Sequence, residues 1–203
     1  MKIFSQPYRR KTDRMIVSLN RMNGLYQLEI DALHDAPEIL YRLAAVLYVH
    51  DWNIVHADIS TADNTVKDRF QVRPAGERRD VDDLKFERMM QDLELVLFER
   101  PSVVEFIRGR DKAVDFKQSG KCQVEFVLDS SRTRVMVNAQ DRPGLLLCQA
   151  QVFSLLGLDI QQAVIHTEAG GRVRNVFTIA PTEQRLKDIR FRERLSDALR
   201  VLL

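Results

Sequence analysis

Only two cysteines, Cys122 and Cys148, occur in 203 residues. Their spacing suits neither a metal site nor a redox pair, so they read as two reduced thiols. Excess charge of one sign is also lacking. Lys and Arg number 31 against 29 Asp and Glu, a formal +2, which gives no electrostatic case for nucleic acid. The basic group Arg9, Arg10, Lys11 and Arg14 reads as a solvated N-terminal arm. No apolar run approaches the roughly 18 residues of a membrane helix, and the first fourteen residues hold no apolar stretch of signal-peptide length. The expectation is a cytoplasmic protein without membrane contact. No triad, metal set or phosphate loop is present, which argues against an enzyme in its own right.

What the chain does carry is an ordinary globular composition, 45% hydrophobic and 30% charged, over a length that suits one large or two small domains. Met15 to Leu19 and Leu25 to Leu33 read as strands. Between Pro37 and His50, Ile39, Leu40, Leu43, Val46 and Leu47 recur at helical spacing. Ile54 to Ser60 and Val66 to Val72 form a hairpin turned at Ala62-Asp63-Asn64. Val81 to Phe98 is a second helix ended by Pro101, and Val103 to Ile107 reads as a further short strand. Arg108 to Gly120 is polar and sets a boundary between a first domain, 1–112, and a second, 113–203. Beyond it lie strands Gln123 to Leu128 and Arg134 to Ala139 and a helix from Leu145 to Leu156, stopped at Gly157. A hairpin of Ile160 to Thr167 and Arg172 to Ile179 turns at Glu168-Ala169-Gly170-Gly171, and a helix from Gln184 to Leu203 closes the chain.

The second half repeats the first. An offset of 106 pairs Asp35 with Asp141, Pro37 with Pro143, Leu40 with Leu146, Ile54 with Ile160 and Thr61 with Thr167. It becomes 107 after the hairpin, pairing Val66 with Val173 and Phe70 with Phe177, and 105 in the last helix, pairing Phe86 with Phe191. So ordered a series marks a duplicated small α+β domain. In the first strand the same offset sets Leu28 against Arg134 and Glu29 against Val135, which reverses the faces. Either a bulge differs between the copies or both faces are partly buried.

The best candidate site is Asp141-Arg142-Pro143-Gly144-Leu145-Leu146, between a strand and a helix. Asp can cap the helix, Pro suits its first turn, and Gly lets a ligand approach the backbone. The N–H groups of Gly144 and Leu145 are then placed for a carboxylate. Asp141 and Asp159 suit an ammonium group, and Asn138 and Gln140 a side-chain amide. Arg142, Pro143 and Ile160 complete the set. The first copy offers a weaker version at Asp35, Ala36 and Pro37, with Asn53 before the next strand. There Glu38 replaces the glycine and puts a side chain where the backbone should be bare. Asp141 also fits a purely structural role as an N-cap, worth about 1 kcal/mol. Trp52 reads as packing.

A β-α-β-β-α-β order with a D-x-P-G-x-L loop between first strand and first helix resembles the ACT domain. The second half carries the fuller motif, Asp141 to Leu146 followed by Leu156-Gly157-Leu158-Asp159-Ile160. The first half carries Asp35-Ala36-Pro37-Glu38-Ile39-Leu40 and Asp51-Trp52-Asn53-Ile54. Val124-Glu125-Phe126 with Asp129, and Gly171-Arg172-Val173-Arg174-Asn175-Val176-Phe177, are similar to the tandem ACT domains at the C-terminus of bacterial PII-protein uridylyltransferases. The resemblance implies an α+β fold of tandem ferredoxin-like βαββαβ (ACT) domains, with antiparallel sheets and helices on one face. It implies ligand at an interface between ACT domains, and a regulatory sensor of an amino acid such as glutamine in nitrogen metabolism. The alternative is a ligand-free module that acts on a separate uridylyltransferase or PII-type partner. That family's catalytic parts are missing. No Gly-Ser is paired with Asp-x-Asp, and His34-Asp35 lacks matching partners among His50, His56 and His166. The chain is therefore read as a non-enzyme with no cofactor and no metal. Open sheet edges need pairing, so a homodimer or a protein partner is expected. The two copies either pair side by side in one sheet or pair across a dimer.

Overall fold

Alternating apolar and polar residues build one sheet. The computed structural model describes residues 8–32, 38–62, 65–75, 81–114, 122–129 and 132–202. Its strands are β1 (Tyr8–Lys11), β2 (Met15–Met22), β3 (Leu25–Ala32), β4 (Trp52–Ala62), β5 (Thr65–Pro74), β6 (Gln123–Leu128), β7 (Thr133–Gln140), β8 (Ile160–His166) and β9 (Arg172–Ile179). They form a single antiparallel sheet in the order β1-β2-β3-β5-β4-β8-β9-β7-β6. Alternate residues of the inner strands, among them Val17, Leu28, Ala57, Phe70, Val137, Ile165 and Phe177, are buried in a core shared with the helices. The residues between them face outward and pair across strands, as where Glu29 accepts from Ser18 Oγ at 3.3 Å and from Arg69 Nε at 3.1 Å.

The helices are α1 (Ile39–Val49), α2 (Asp83–Glu94), α3 (Val103–Arg108), α4 (Leu145–Leu155) and α5 (Ile189–Leu202). Asp82 caps α2, its carboxylate accepting from the Lys85 N–H at 2.8 Å. Beyond Glu94, α2 continues as a π-type turn, Leu95–Glu99. Each half has the ferredoxin-like spatial order, β2-β3-β5-β4 in the first and β8-β9-β7-β6 in the second. The α+β reading with tandem ferredoxin-like units and helices on one face therefore holds. The chain order differs from β-α-β-β-α-β, because the outer strand of each unit, β2 or β6, precedes the others instead of following them.

Two local expectations are corrected. Val103 to Ile107 is helix, not strand. Val103, Phe106 and Ile107 are the buried residues, and their spacing is the helical one, which so short an apolar run does not reveal. Arg9, Arg10 and Lys11 are not a solvated arm but lie in edge strand β1, paired with β2. Tyr8 anchors that strand, its ring stacked 5.1 Å from Phe86 and its hydroxyl donating to Val81 O at 3.0 Å. Basic side chains on an edge strand discourage further pairing.

The mismatch in the first strand has a simple cause. Leu28, Ile30 and Ala32 in β3 and Val135, Val137 and Ala139 in β7 are buried, so these strands align at 107. Five residues separate Ala32 from Glu38, and four separate Ala139 from Gly144. The extra residue lies in the connection, not in the strand. A true bulge recurs elsewhere, between Ile54 and His56 in β4 and between Ile160 and Gln162 in β8.

The halves pair side by side. Strand β4 meets β8 in the register His56 to His166 through Ser60 to Gln162, centred on Asp58 and Val164. Those two residues are separated by the repeat offset, so a pseudo-twofold axis passes between them. Helices α1 and α4 pack on each other beneath the seam. An arginine locks each half by different means, Arg42 buried and Arg142 partly buried. Arg42 on α1 donates to Val96 O at 3.2 Å and Pro101 O at 2.9 Å. In the second half Arg142, from the loop, donates to Leu202 O at 2.8 Å. Among the described residues no helix is long and apolar enough to cross a membrane.

Candidate functional site

The loop before α4 enters the helix through a left-handed residue. Gly144 has φ 78°, and its carbonyl accepts the Cys148 N–H at 3.0 Å. Asp141 is therefore not the N-cap. It lies three residues earlier, and its N–H donates to Gly171 O at 2.7 Å. The Leu145 N–H donates to Arg142 O at 3.1 Å, so one of the two donors expected for a carboxylate is engaged. The N–H groups of Leu146 and Leu147 complete the first turn, where no carbonyl four residues back can serve them.

A cavity of about 40 Å³ lies where this loop meets the first half. Tyr48, Trp52, Asn53 and Ile54 form one wall, and Asp141, Gly144, Leu146 and Leu147 form the opposite one. Thr167, Asn175, Ile165 and Val173 complete the lining. Burial pushes the Asp141 carboxyl up from its ordinary range, while the Arg142 N–H and the Arg73 guanidinium pull it down less strongly. The Thr167 hydroxyl oxygen is enclosed and has no partner among the described residues. Asn175 is 1% exposed; its Oδ1 accepts the His166 N–H at 3.4 Å and its Nδ2 donates to Gln149 Oε1 at 2.7 Å. This set joins one acid, neutral hydroxyl and amide groups and a helix N-terminus at a junction between the copies. That chemistry suits a zwitterion.

The pseudo-twofold axis generates a second, smaller cavity of about 20 Å³, where Glu38 faces Ser154, Leu158, Asp159 and Ile160. The equivalences are close: Tyr48 matches Ser154, Trp52 matches Leu158, and Asn53 matches Asp159. Glu38 adopts φ 70°, the conformation that Gly144 takes in the other copy. Its carboxylate lines the site, accepting from Ser154 Oγ at 2.5 Å and from Arg42 Nη2 at 3.4 Å. The nearby Tyr41 hydroxyl is pushed up to about 12 by burial.

The residues proposed from sequence are thus divided. Asp141, Arg142, Pro143, Gly144 and Leu145 line the larger cavity, with Asn53 from the first half. Asp159 and Ile160 line the other one. The assignments cross: Asn53 lies in the cavity of Gly144, and Asp159 in that of Glu38. Asn138 and Gln140 line neither. Asn138 alternates with buried Val137 and Ala139 and so faces away from the helices. Gln140 Nε2 packs over Gly171, 2.8 Å from where a Cβ would stand. Asp35, Ala36 and Pro37 lie outside the described residues. Tyr48, Thr167, Asn175 and Arg73 were not singled out in sequence. The offset of 106 from Tyr48 to Ser154 is the only signal that could have raised the first. Among the described residues no group of three His, Cys, Asp or Glu is placed to hold a metal.

No protein-family model and no curated protein matches the chain. Among solved structures it is similar to the crystal structure of aspartate kinase from Synechocystis, with a TM-score of 0.45 and 14% identity over 85% of this chain. The chain covers 26% of that protein, and a likeness at this level carries no argument about function.

Proposed function

We propose that the chain is a regulatory amino-acid-binding protein of the ACT type, without catalytic activity of its own. One observation carries this reading. The half-buried Asp141 carboxyl, the partnerless Thr167 hydroxyl and the first turn of α4 converge on one cavity at the junction of two copies of the fold. A carboxylate is stabilised at the helix N-terminus, and an ammonium by Asp141. Ligand across the seam couples the two halves, which is what a sensor requires. The resemblance to uridylyltransferase ACT pairs names glutamine and nitrogen regulation as the first case to try. Thermal-shift and calorimetric screens against the common amino acids test the reading. A ligand that binds only the folded chain raises its midpoint once concentration exceeds Kd. Asp141→Asn is expected to abolish the shift, and no shift with any amino acid at millimolar concentration sinks the proposal.

Glu38 favours a second reading, because its carboxylate already bonds Ser154 across one of the two equivalent sites. On that reading the chain is an interaction module for a separate uridylyltransferase or PII-type protein. Its mark is binding of such a purified partner with an affinity that added amino acids leave unchanged.

A further inference from the structure

Resting on the amino-acid-binding reading above, we propose that Tyr48 is the size filter of this site, restricting the ligand to glycine, alanine or serine. The Tyr48 ring stands over Gly144: a Cβ on that glycine would lie 2.9 Å from Tyr48 Cε2 and 3.2 Å from Cδ2. The ring therefore occupies the space above the bare backbone, where a ligand side chain would leave the loop. What remains is about 40 Å³. One water needs on the order of 10–15 Å³ by the same measure, so the cavity takes roughly three water-sized groups. The carboxylate, Cα and ammonium common to all amino acids take up most of that, which leaves room for a short side chain only. Beside the polar groups of Asn53, Thr167 and Asn175, the wall is closed by the bulky apolar side chains of Trp52, Ile54, Ile165 and Val173.

The ring is also held in place. The Tyr48 hydroxyl donates to Ala113 O at 2.6 Å, in the segment joining the two halves. Lys112, one residue earlier, bonds Asp51 at 2.6 Å, three residues after Tyr48. A bulky ligand must therefore displace the ring and break its bond to the connecting segment. The equivalent residue in the other copy is Ser154, a shorter side chain whose hydroxyl donates to Glu38.

Calorimetry of the full chain with glycine, alanine, serine, glutamine and phenylalanine tests this, for wild type, Tyr48→Ser and Tyr48→Phe. The wild type is expected to bind one of the three small amino acids at least tenfold more tightly than glutamine. Tyr48→Ser is expected to shrink that ratio tenfold or more, chiefly by gaining affinity for glutamine. Tyr48→Phe keeps the ring and loses only the hydroxyl, so it is expected to retain the small-ligand preference. It also keeps the test alive if the serine variant folds poorly. Wild-type preference for glutamine or phenylalanine overturns the size filter but leaves amino-acid sensing standing, as does an unchanged ratio in Tyr48→Ser. Failure of all three proteins to bind any of the five overturns both.

Discussion

Gly144 and Asp141 set the terms of the site at the scale of single residues. Gly144 holds φ 78° under the Tyr48 ring, so a side chain there meets two costs, backbone strain and contact with the ring. A non-glycine residue in the left-handed region costs about 1–2 kcal/mol. Gly144→Ala should therefore lower stability by about 2 kcal/mol or more in wild type, and by about 1 kcal/mol in a Tyr48→Ser background. Urea unfolding of the four proteins in that cycle measures the difference. Sequence alone assigns Gly144 to close approach of a ligand; the ring above it makes stability depend on it too. Asp141 behaves in the opposite sense. Its carboxyl titrates above its unfolded value because burial disfavours the charge. The stability it contributes is present below about pH 4 and lost as pH rises through the folded value. Asp141→Asn should accordingly raise Tm at pH 7 and leave it nearly unchanged at pH 3. A residue that costs stability at neutral pH is expected at a binding site, where desolvated charge serves the ligand.

At the scale of elements, Arg42 and Arg142 do one job from unequal positions. Arg42 is 7% exposed and satisfies the carbonyls of Val96 and Pro101 at the end of α2. Arg42→Ala leaves both carbonyls enclosed and removes an ion pair with Glu38, so a loss of about 3 kcal/mol is expected in chemical denaturation. Arg142→Ala removes the bond to the Leu202 carbonyl and the contact with Cys148 Sγ, and about 1 kcal/mol is expected. A second element-level device joins the end of α1 to α2 and to the segment after α3. His50 Nε2 donates to Asp92 Oδ2 at 2.9 Å, and Arg110 engages both Asp92 oxygens. Burial lowers the His50 value and outweighs Asp92, whose charge Arg110 already satisfies. Folded His50 is thus the weaker base. Its contribution is complete above about pH 6.5 and falls as acid protonates the unfolded chain first. Between pH 7 and pH 5, Tm should drop more steeply in wild type than in His50→Gln. A slope that is the same in both proteins contradicts this.

The duplicated plan was legible at the level of the whole molecule, because paired residues at a fixed offset survive in any fold. Strand and helix types followed from apolar spacing wherever the run was long, and failed at Val103 to Ile107, where it was not. Which loop faces which cavity was hidden. Nothing in a linear offset says that Asn53 shares a cavity with Gly144 and Asp159 with Glu38, since that crossing is made by the β4–β8 seam. The ring of Tyr48 was hidden for the same reason. Its neighbour Gly144 is distant in sequence and arrives only when α1 packs on α4.

The same seam makes a claim about cooperativity. Two ferredoxin-like units linked only by a tether unfold as independent transitions, whereas units that share a sheet and a helix pair lose those contacts together. Here the halves share β4 with β8, α1 with α4, and the core that runs beneath both. The sole tryptophan, Trp52, sits at the start of β4, its ring edge-on to Tyr26 with centroids 5.4 Å apart. Its fluorescence reports on the first half and on the larger cavity, while far-ultraviolet circular dichroism reports on all the helices and strands. The two signals are expected to give one coincident transition in urea, and a bound amino acid should shift both midpoints equally. A tryptophan transition displaced from the dichroism curve would mean that the first half opens alone. In that case ligand at the seam could no longer couple the copies, and the sensing mechanism would lose its physical basis.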